Sequence, residues 1–399
     1  MLRISVILWC LSPVILGAVQ HLDVALYYKV PNPQELIEQA GYIGETHEVV
    51  TEDRYVLQLH RITGSKENPP SDKKPVVLLL HGLLDSSATW VLTDPGKSLA
   101  FQLANWGYDV WMGNVRGNRY SRRHLDFTVS DHDYWLFSWH EMGVYDIPAM
   151  IDHILDQTRQ EKIFLVSHSQ GSTAFFVMAS ERPEYQKKLV ASFTLAPAVF
   201  MSRSRNAFFQ ILAPCANDIG LLTELIGMYE FKPSDKLIQM LAKEVCDDDS
   251  LLQPICKNIV FLIAGLGDKD FNTTLLPVIG QYDPAGASTR QLVHYGQSIN
   301  TGKFRQYDYG LLGNLKKYGK IHPPDYDLAN VKIPVYIYYS TNDALVNAQD
   351  THELYNALPN AQMFLVMSKY FTHLDFVWGK HANVWVYNQI LSLMDRHRN

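Results

Sequence analysis

Apolar and polar residues first alternate and then cluster along the chain. Tyr55, Leu57 and Leu59 fall at period two within Tyr55–Arg61. With Glu48–Thr51 they predict two strands joined by a Glu52-Asp53 turn. After a polar, Pro-containing connector, Val76-Val77-Leu78-Leu79-Leu80 is apolar throughout and bounded by Pro75 and Gly82. A strand buried on both faces has this pattern. The period then switches repeatedly: helix over 97–106, strand 109–113, helix 147–160, strand 163–166, helix 169–180, strand 192–195. Such alternation implies an α/β fold, a mostly parallel central sheet with helices on both faces.

The alternation stops near Phe200 and resumes at Val335–Ser340, followed by a strand at Met363–Val366 and a C-terminal helix over Ala382–Met394. Between them, pairs such as Leu221-Leu222 and Leu225-Ile226 predict an inserted, mainly helical cap. The expected organisation is a leader at 1–19, a core made of 20–201 and 332–399, and a cap or lid at 202–331. The leader has Arg3, the apolar run Ile4–Leu16, then Gly17 and Ala18, the layout of a secretory signal peptide. The run is short for a membrane span and contains Pro13. No later stretch is long and apolar enough to span a bilayer, so the mature chain is expected to be secreted, with the lysosome as the alternative destination.

The net charge of −6 over 399 residues disfavours a nucleic-acid partner, which would require a basic surface. The basic stretch Arg116–His124, with Arg119, Arg122 and Arg123, reads as a solvated loop. An oxidising compartment makes the cysteines informative. Cys10 leaves with the leader, Cys246 and Cys256 are near enough to close a small disulfide loop, and Cys215 is expected to be free and buried. Asn272-Thr273-Thr274 is a glycosylation sequon. No metal or cofactor is expected. His140-Glu141 starts like a zinc motif, but Val144 stands where the second histidine belongs, and Gly265-Leu266-Gly267 lacks the rest of a phosphate loop.

The segment Ile163-Phe164-Leu165-Val166-Ser167-His168-Ser169-Gln170-Gly171 carries the chemistry. A strand runs into a sharp turn and a helix, which would hold the Ser169 side chain out above the sheet edge and at a helix N-terminus. This is a nucleophile elbow with Ser167 in place of the first glycine. A serine nucleophile needs a general base and an acid to orient it. Asp343 directly follows the strand Val335–Ser340. Of the 15 histidines, His373 occupies the loop between the last strand and the last helix, with His381 assigned to that helix. Asp375 is the rival acid, but it follows no strand. The Gln170 and Leu83 N–H groups, the second from His81-Gly82-Leu83-Leu84, are the expected oxyanion donors.

With these motifs in hand, the chain resembles the acid lipases of the α/β-hydrolase superfamily. His81-Gly82-Leu83-Leu84, Gly113-Asn114-Val115-Arg116-Gly117-Asn118, His168-Ser169-Gln170-Gly171 and Thr372-His373-Leu374-Asp375-Phe376 carry the likeness, which extends from about Tyr42 to Leu393. The resemblance implies a Ser169–His373–Asp343 triad, oxyanion donors at Leu83 and Gln170, a Cys246–Cys256 cap disulfide and a glycan on Asn272. It also implies metal-free hydrolysis, best in acid, of triacylglycerols or sterol esters at a lipid–water interface. A lysosomal sterol ester hydrolase and a catalytically silent lipid-binding protein are the competing readings.

Overall fold

In the computed structural model, residues 30–217, 229–231, 264–265 and 269–398 are described. Strand β1 (Tyr42–Val50) turns at 51–54 into β2 (Tyr55–Ser65), the hairpin expected around Glu52-Asp53. β1 begins well before the predicted Glu48. It is the outer strand of the sheet, with burial that alternates only weakly, so its first half gives little apolar signal. β3 (Val76–Leu80) and β4 (Asp109–Gly113) keep their predicted bounds and are buried along their whole length. β5 (Arg123–His124) is a short strand on β2. β6 (Ile163–His168), β7 (Leu189–Leu195), β8 (Val335–Tyr339) and β9 (Ala361–Leu365) complete a sheet ordered β1-β2-β4-β3-β6-β7-β8-β9, with β5 off this path. Pairing is antiparallel among β1, β2, β4 and β5, and parallel from β4 through β9.

Helix α1 (Pro33–Gln39) opens the described chain. α2 (Leu99–Asn105), α3 (Ile147–Thr158) and α4 (Gln170–Glu181) follow successive strands. α3 is preceded by a wide π-helical turn, Met142–Asp146, as α8 (Asn388–Arg396) is by Asn383–Tyr387. This π-turn lies within the C-terminal helix expected over Ala382–Met394. Between β7 and β8 the regular elements among the described residues are helices. They include Ala207–Leu212, Leu276–Tyr282, α5 (Thr289–Thr301) and α6 (Gly310–Tyr318). α5 starts at a Ser288/Gln291 capping box and ends at Gly302, whose φ of 64° suits glycine. Its side chains tie this segment to α4: Gln291 Nε2 donates to Gln170 Oε1 at 3.1 Å, and the Tyr295 and Thr173 hydroxyls lie 2.9 Å apart. α7 (Ala348–Ala357) links β8 to β9.

The Leu221-Leu222 and Leu225-Ile226 pairs, the leader at 1–19, and Cys246 and Cys256 lie outside the described residues. Cys215 corrects an expectation. It is buried as predicted, but it is disulfide-bonded rather than free, which with Cys10 in the leader is incompatible with the expected Cys246–Cys256 pairing. Spacing along a chain does not fix connectivity, because pairing depends on which cysteines meet in space. Asn272 is half-buried, and its side-chain oxygen accepts from the Thr274 hydroxyl at 2.8 Å.

Candidate active site

β6 ends at His168, and Ser169 sits at the turn with φ 51° and ψ −116° before α4 begins. A non-glycine residue with positive φ is strained, and such strain persists only where surrounding contacts enforce it. Here the Ser169 N–H donates to Leu195 O at 2.9 Å, and Ser169 O accepts from Ser172 N and Thr173 N at 3.0 and 3.2 Å. Close packing sets the next requirement. A Cβ on Gly171 would lie 2.7 Å from Leu80 O and 2.8 Å from His81 O, so α4 can meet the end of β3 only through a glycine. Ser167 fits in place of the first glycine because its hydroxyl lies 2.9 Å from that of Ser172.

Asp343 and His373 meet behind the turn. His373 Nδ1–H donates to Asp343 Oδ2 at 2.7 Å, and both side chains are almost fully buried. Asp343 Oδ1 accepts from the Leu345 and Val346 N–H groups, each at 2.8 Å. With its proton fixed on Nδ1, the imidazole presents Nε2 as the available base. His373 and Ser169 border one pocket, together with Gly82, Leu83, Leu84, Asp85, His168, Ala264, Leu345, Leu374 and Trp378. Among the described residues the Ser169 hydroxyl makes no hydrogen bond to His373. Contacts of this kind commonly tighten only around substrate.

His168 borders the pocket but is buried in the packing of the elbow, its ring centroid 4.8 Å from that of His373. Its Nε2–H donates to His373 O at 3.1 Å, and burial, reinforced by the neighbouring His373, holds its pKa well below the usual histidine range. The loop after β3 is fixed from behind. His81 Nδ1–H donates to Gly82 O at 2.8 Å, so Nε2 is the acceptor for Val115 N at 3.3 Å and Asn118 Nδ2 at 3.1 Å. Burial pulls His81 down to about 4, which keeps it neutral. Leu84 has φ 64°. The Gln170 side chain turns into packing against Met142 and Gln291. Neither the Gln170 nor the Leu83 N–H meets an acceptor among the described residues.

Near the site, Arg116 departs from the solvated loop that its sequence predicts, and a buried carboxyl pair had no sequence signal. Arg116 is buried rather than solvated. Its guanidinium holds Asp53 at 2.5 Å and Asp146 at 2.6 Å, and it lies over the Tyr55 ring, 4.0 Å from the centroid. Arg119 and Arg123 are exposed, as expected of the same stretch, and Arg122 pairs with Glu230. Arginine type predicts exposure. Only the fold reveals that carboxylates from two distant segments converge on this one. The missed pair is Asp85, which borders the pocket, and Asp283, whose side chain is hydrogen-bonded to it. Burial pushes Asp85 up to about 7 and Asp283 well above the carboxylate range. Among the described residues no group of three or more His, Cys, Asp or Glu could hold a metal ion.

Comparison with known proteins agrees with this architecture. The family described as a partial alpha/beta-hydrolase lipase region matches residues 33–94, and the alpha/beta hydrolase fold family matches residues 75–211. Lipase 3 of Drosophila melanogaster is 42% identical over 364 residues, covering 91% of this chain and 92% of that protein. Gastric triacylglycerol lipase of Homo sapiens is 36% identical over 373 residues, covering 92% of each. Among solved structures, a putative lipase from Sulfolobus solfataricus superimposes with a TM-score of 0.55 at 16% identity, covering 89% of this chain and 95% of that one. This last likeness speaks to the fold alone. The chain belongs to the α/β-hydrolase lipase family that includes the gastric lipases.

Proposed function

We propose that this chain is a serine carboxylic ester hydrolase, a lipase that cleaves fatty-acyl esters, triacylglycerols foremost, through an acyl-enzyme. The observation that carries the reading is the buried Asp343–His373 pair bordering the same pocket as Ser169 on its strained turn. His373 Nε2 takes the Ser169 proton as the hydroxyl oxygen attacks the ester carbonyl. The Gln170 and Leu83 N–H groups, without acceptors among the described residues, stabilise the tetrahedral oxyanion. Each such donor is worth about 10²–10³ in rate. His373 then protonates the departing alcohol, and a water deprotonated by the same nitrogen releases the fatty acid. Asp343 keeps the imidazole in the required tautomer throughout.

The segment 202–331 acts in this reading as the cap over the acyl-binding side, with Asn272 as a glycan acceptor. Substrate is met at a lipid–water interface. The leader pattern and the Cys215 disulfide support a secretory route, ending outside the cell or in the lysosome. No helix among the described residues is long and apolar enough to cross a membrane.

Emulsified triacylglycerol and cholesteryl ester, assayed side by side near acid pH, test the substrate class; faster turnover of the sterol ester would reverse the preference stated here. Ser169→Ala is expected to lower turnover on the order of 10⁶-fold and to abolish labelling by a fluorophosphonate probe. Full activity in that variant would remove Ser169 from its role. A native protein that resists the probe would be a silent lipid carrier.

A further inference from the structure

Helix α6 is built inside out. Leu312 is 80% exposed, Leu311 60% and Leu315 45%, and Ile321, just past the helix, is 54% exposed. At about 100° per residue the three leucines share an arc of roughly 100° on one side of the helix. The protein-facing side is polar and firmly held. The buried Asn314 donates through Nδ2 to Asp308 Oδ1 at 2.7 Å and Ile321 O at 3.0 Å, and accepts from Tyr309 N at 2.9 Å. The Tyr318 hydroxyl donates to Tyr307 O at 2.8 Å, and Gly319, with φ 68°, closes the helix. The helix is therefore fixed by hydrogen bonds while its leucines face outward, so they are not a core face that failed to pack.

Between the flanking Asp308 and Asp325, the charged side chains of this segment have one sign. Lys316, Lys317 and Lys320 are exposed, and they make no ion pair among the described residues. No Asp or Glu occurs from Tyr309 through Pro324, in a chain whose net charge is −6. Protein-binding patches favour aromatic residues and arginine and are poor in lysine. Exposed aliphatic side chains rimmed by lysines suit an interfacial helix.

We infer that α6 and the turn after it, through Leu311, Leu312, Leu315, Ile321 and the three lysines, form an anchor that docks the protein on a negatively charged phospholipid surface. The inference rests on the lipase reading for its purpose, but the anchor can be tested without turnover. Sedimentation with vesicles of ether-linked phosphatidylcholine, with or without ether-linked phosphatidylglycerol, removes hydrolysis from the measurement. The native chain is expected to bind the anionic vesicles and far less the neutral ones. Replacing Lys316, Lys317 and Lys320 by Glu should weaken binding to anionic vesicles on the order of a hundredfold or more, since each lysine near such a surface contributes about fivefold. Leu312→Asp with Leu311→Asp should weaken it at least roughly tenfold by removing the inserted apolar area. These side chains do not line the pocket, so hydrolysis of a dissolved short-chain ester should stay unchanged in every variant, which also shows that each is folded. Vesicle binding by the variants equal to that of the native chain would overturn the anchor. So would equal binding of the native chain to neutral and anionic vesicles. A drop in oligomeric mass in Leu312→Asp without lipid would assign the face to a second copy instead. Loss of ester hydrolysis in the native chain with vesicle binding intact would count against the lipase reading and leave the anchor standing.

Discussion

Asp343 does its proposed work as a fixed acceptor. One oxygen is occupied by two backbone N–H groups, which leaves the other aimed at His373 Nδ1. Asp343→Asn can keep the shape but offers an N–H or a weaker acceptor to the ring, so the base is presented in the wrong tautomer. Turnover is expected to fall about 10⁴-fold with little change in KM. Asp375 acts differently: it accepts from Thr372 N at 2.6 Å and from the Thr372 hydroxyl at 2.8 Å, bracing the loop that carries His373. Asp375→Asn can still accept from Thr372, so it should cost far less than Asp343→Asn in a steady-state assay. The opposite ranking would make Asp375 the orienting acid. The distinction was partly legible in the sequence, because Asp343 follows a buried strand and Asp375 does not. The hydroxyl partner of Ser167 was not legible, because it depends on Ser172 lying one turn into α4 beside the strand that precedes it.

At the level of elements, the site depends on how closely α4 approaches the end of β3. In Gly171→Ala the new methyl would meet two backbone carbonyl oxygens, Leu80 O and His81 O, at 2.7 and 2.8 Å. Backbone held in a parallel ladder cannot swing aside, so the helix must shift, taking the Gln170 N–H away from the Leu83 loop. We expect a loss of roughly 1–3 kcal/mol in denaturant unfolding and a fall in turnover larger than that destabilisation alone would bring. Activity within a few-fold of native would show that the turn tolerates the displacement. The same packing explains which elements could be read from the sequence. β3, β4 and β8 are buried along their length and announce themselves as short apolar runs. β1 has one neighbour and a mixed face, so only its last third was legible. The π-turn at Met142–Asp146 leaves no mark on the apolar spacing. Arg116 was misread because its partners, Asp53 and Asp146, are brought to it by β2 and α3 rather than by proximity along the chain.

Across the whole molecule, buried titratable groups pull stability in opposite directions as pH changes. Burial drives His60 and His294 to about 3 and His81 to about 4, so these rings stay neutral when folded. Their contribution is present above the unfolded histidine pKa and is lost as pH falls toward those values. Burial raises Asp146 and Asp375 to about 6 and Asp85 to about 7, and burial together with the facing Asp85 holds Asp283 well above the carboxylate range. A raised carboxyl works the other way: its contribution is complete below the unfolded pKa and is lost as pH rises through the folded one. The two sets oppose each other between about pH 4 and 6.5, which predicts a flat region of stability there. Above it the histidines contribute no further slope, and the Asp85–Asp283 pair continues to lose protons. Arg119 is the charged group that lowers Asp283, and it is exposed, so it compensates weakly. The pair also links the pocket loop to the segment between β7 and β8, where Ala285 N donates to Leu84 O at 2.6 Å. Ionising both carboxyls would therefore push the Leu83–Leu84 loop and that segment apart. Asp283→Asn replaces the partner with a group that does not ionise. Its melting temperature should fall less between pH 5 and 8 than that of the native chain, as followed by calorimetry in parallel buffers. Parallel curves for the two proteins would show that the pair does not set the alkaline limit of this fold.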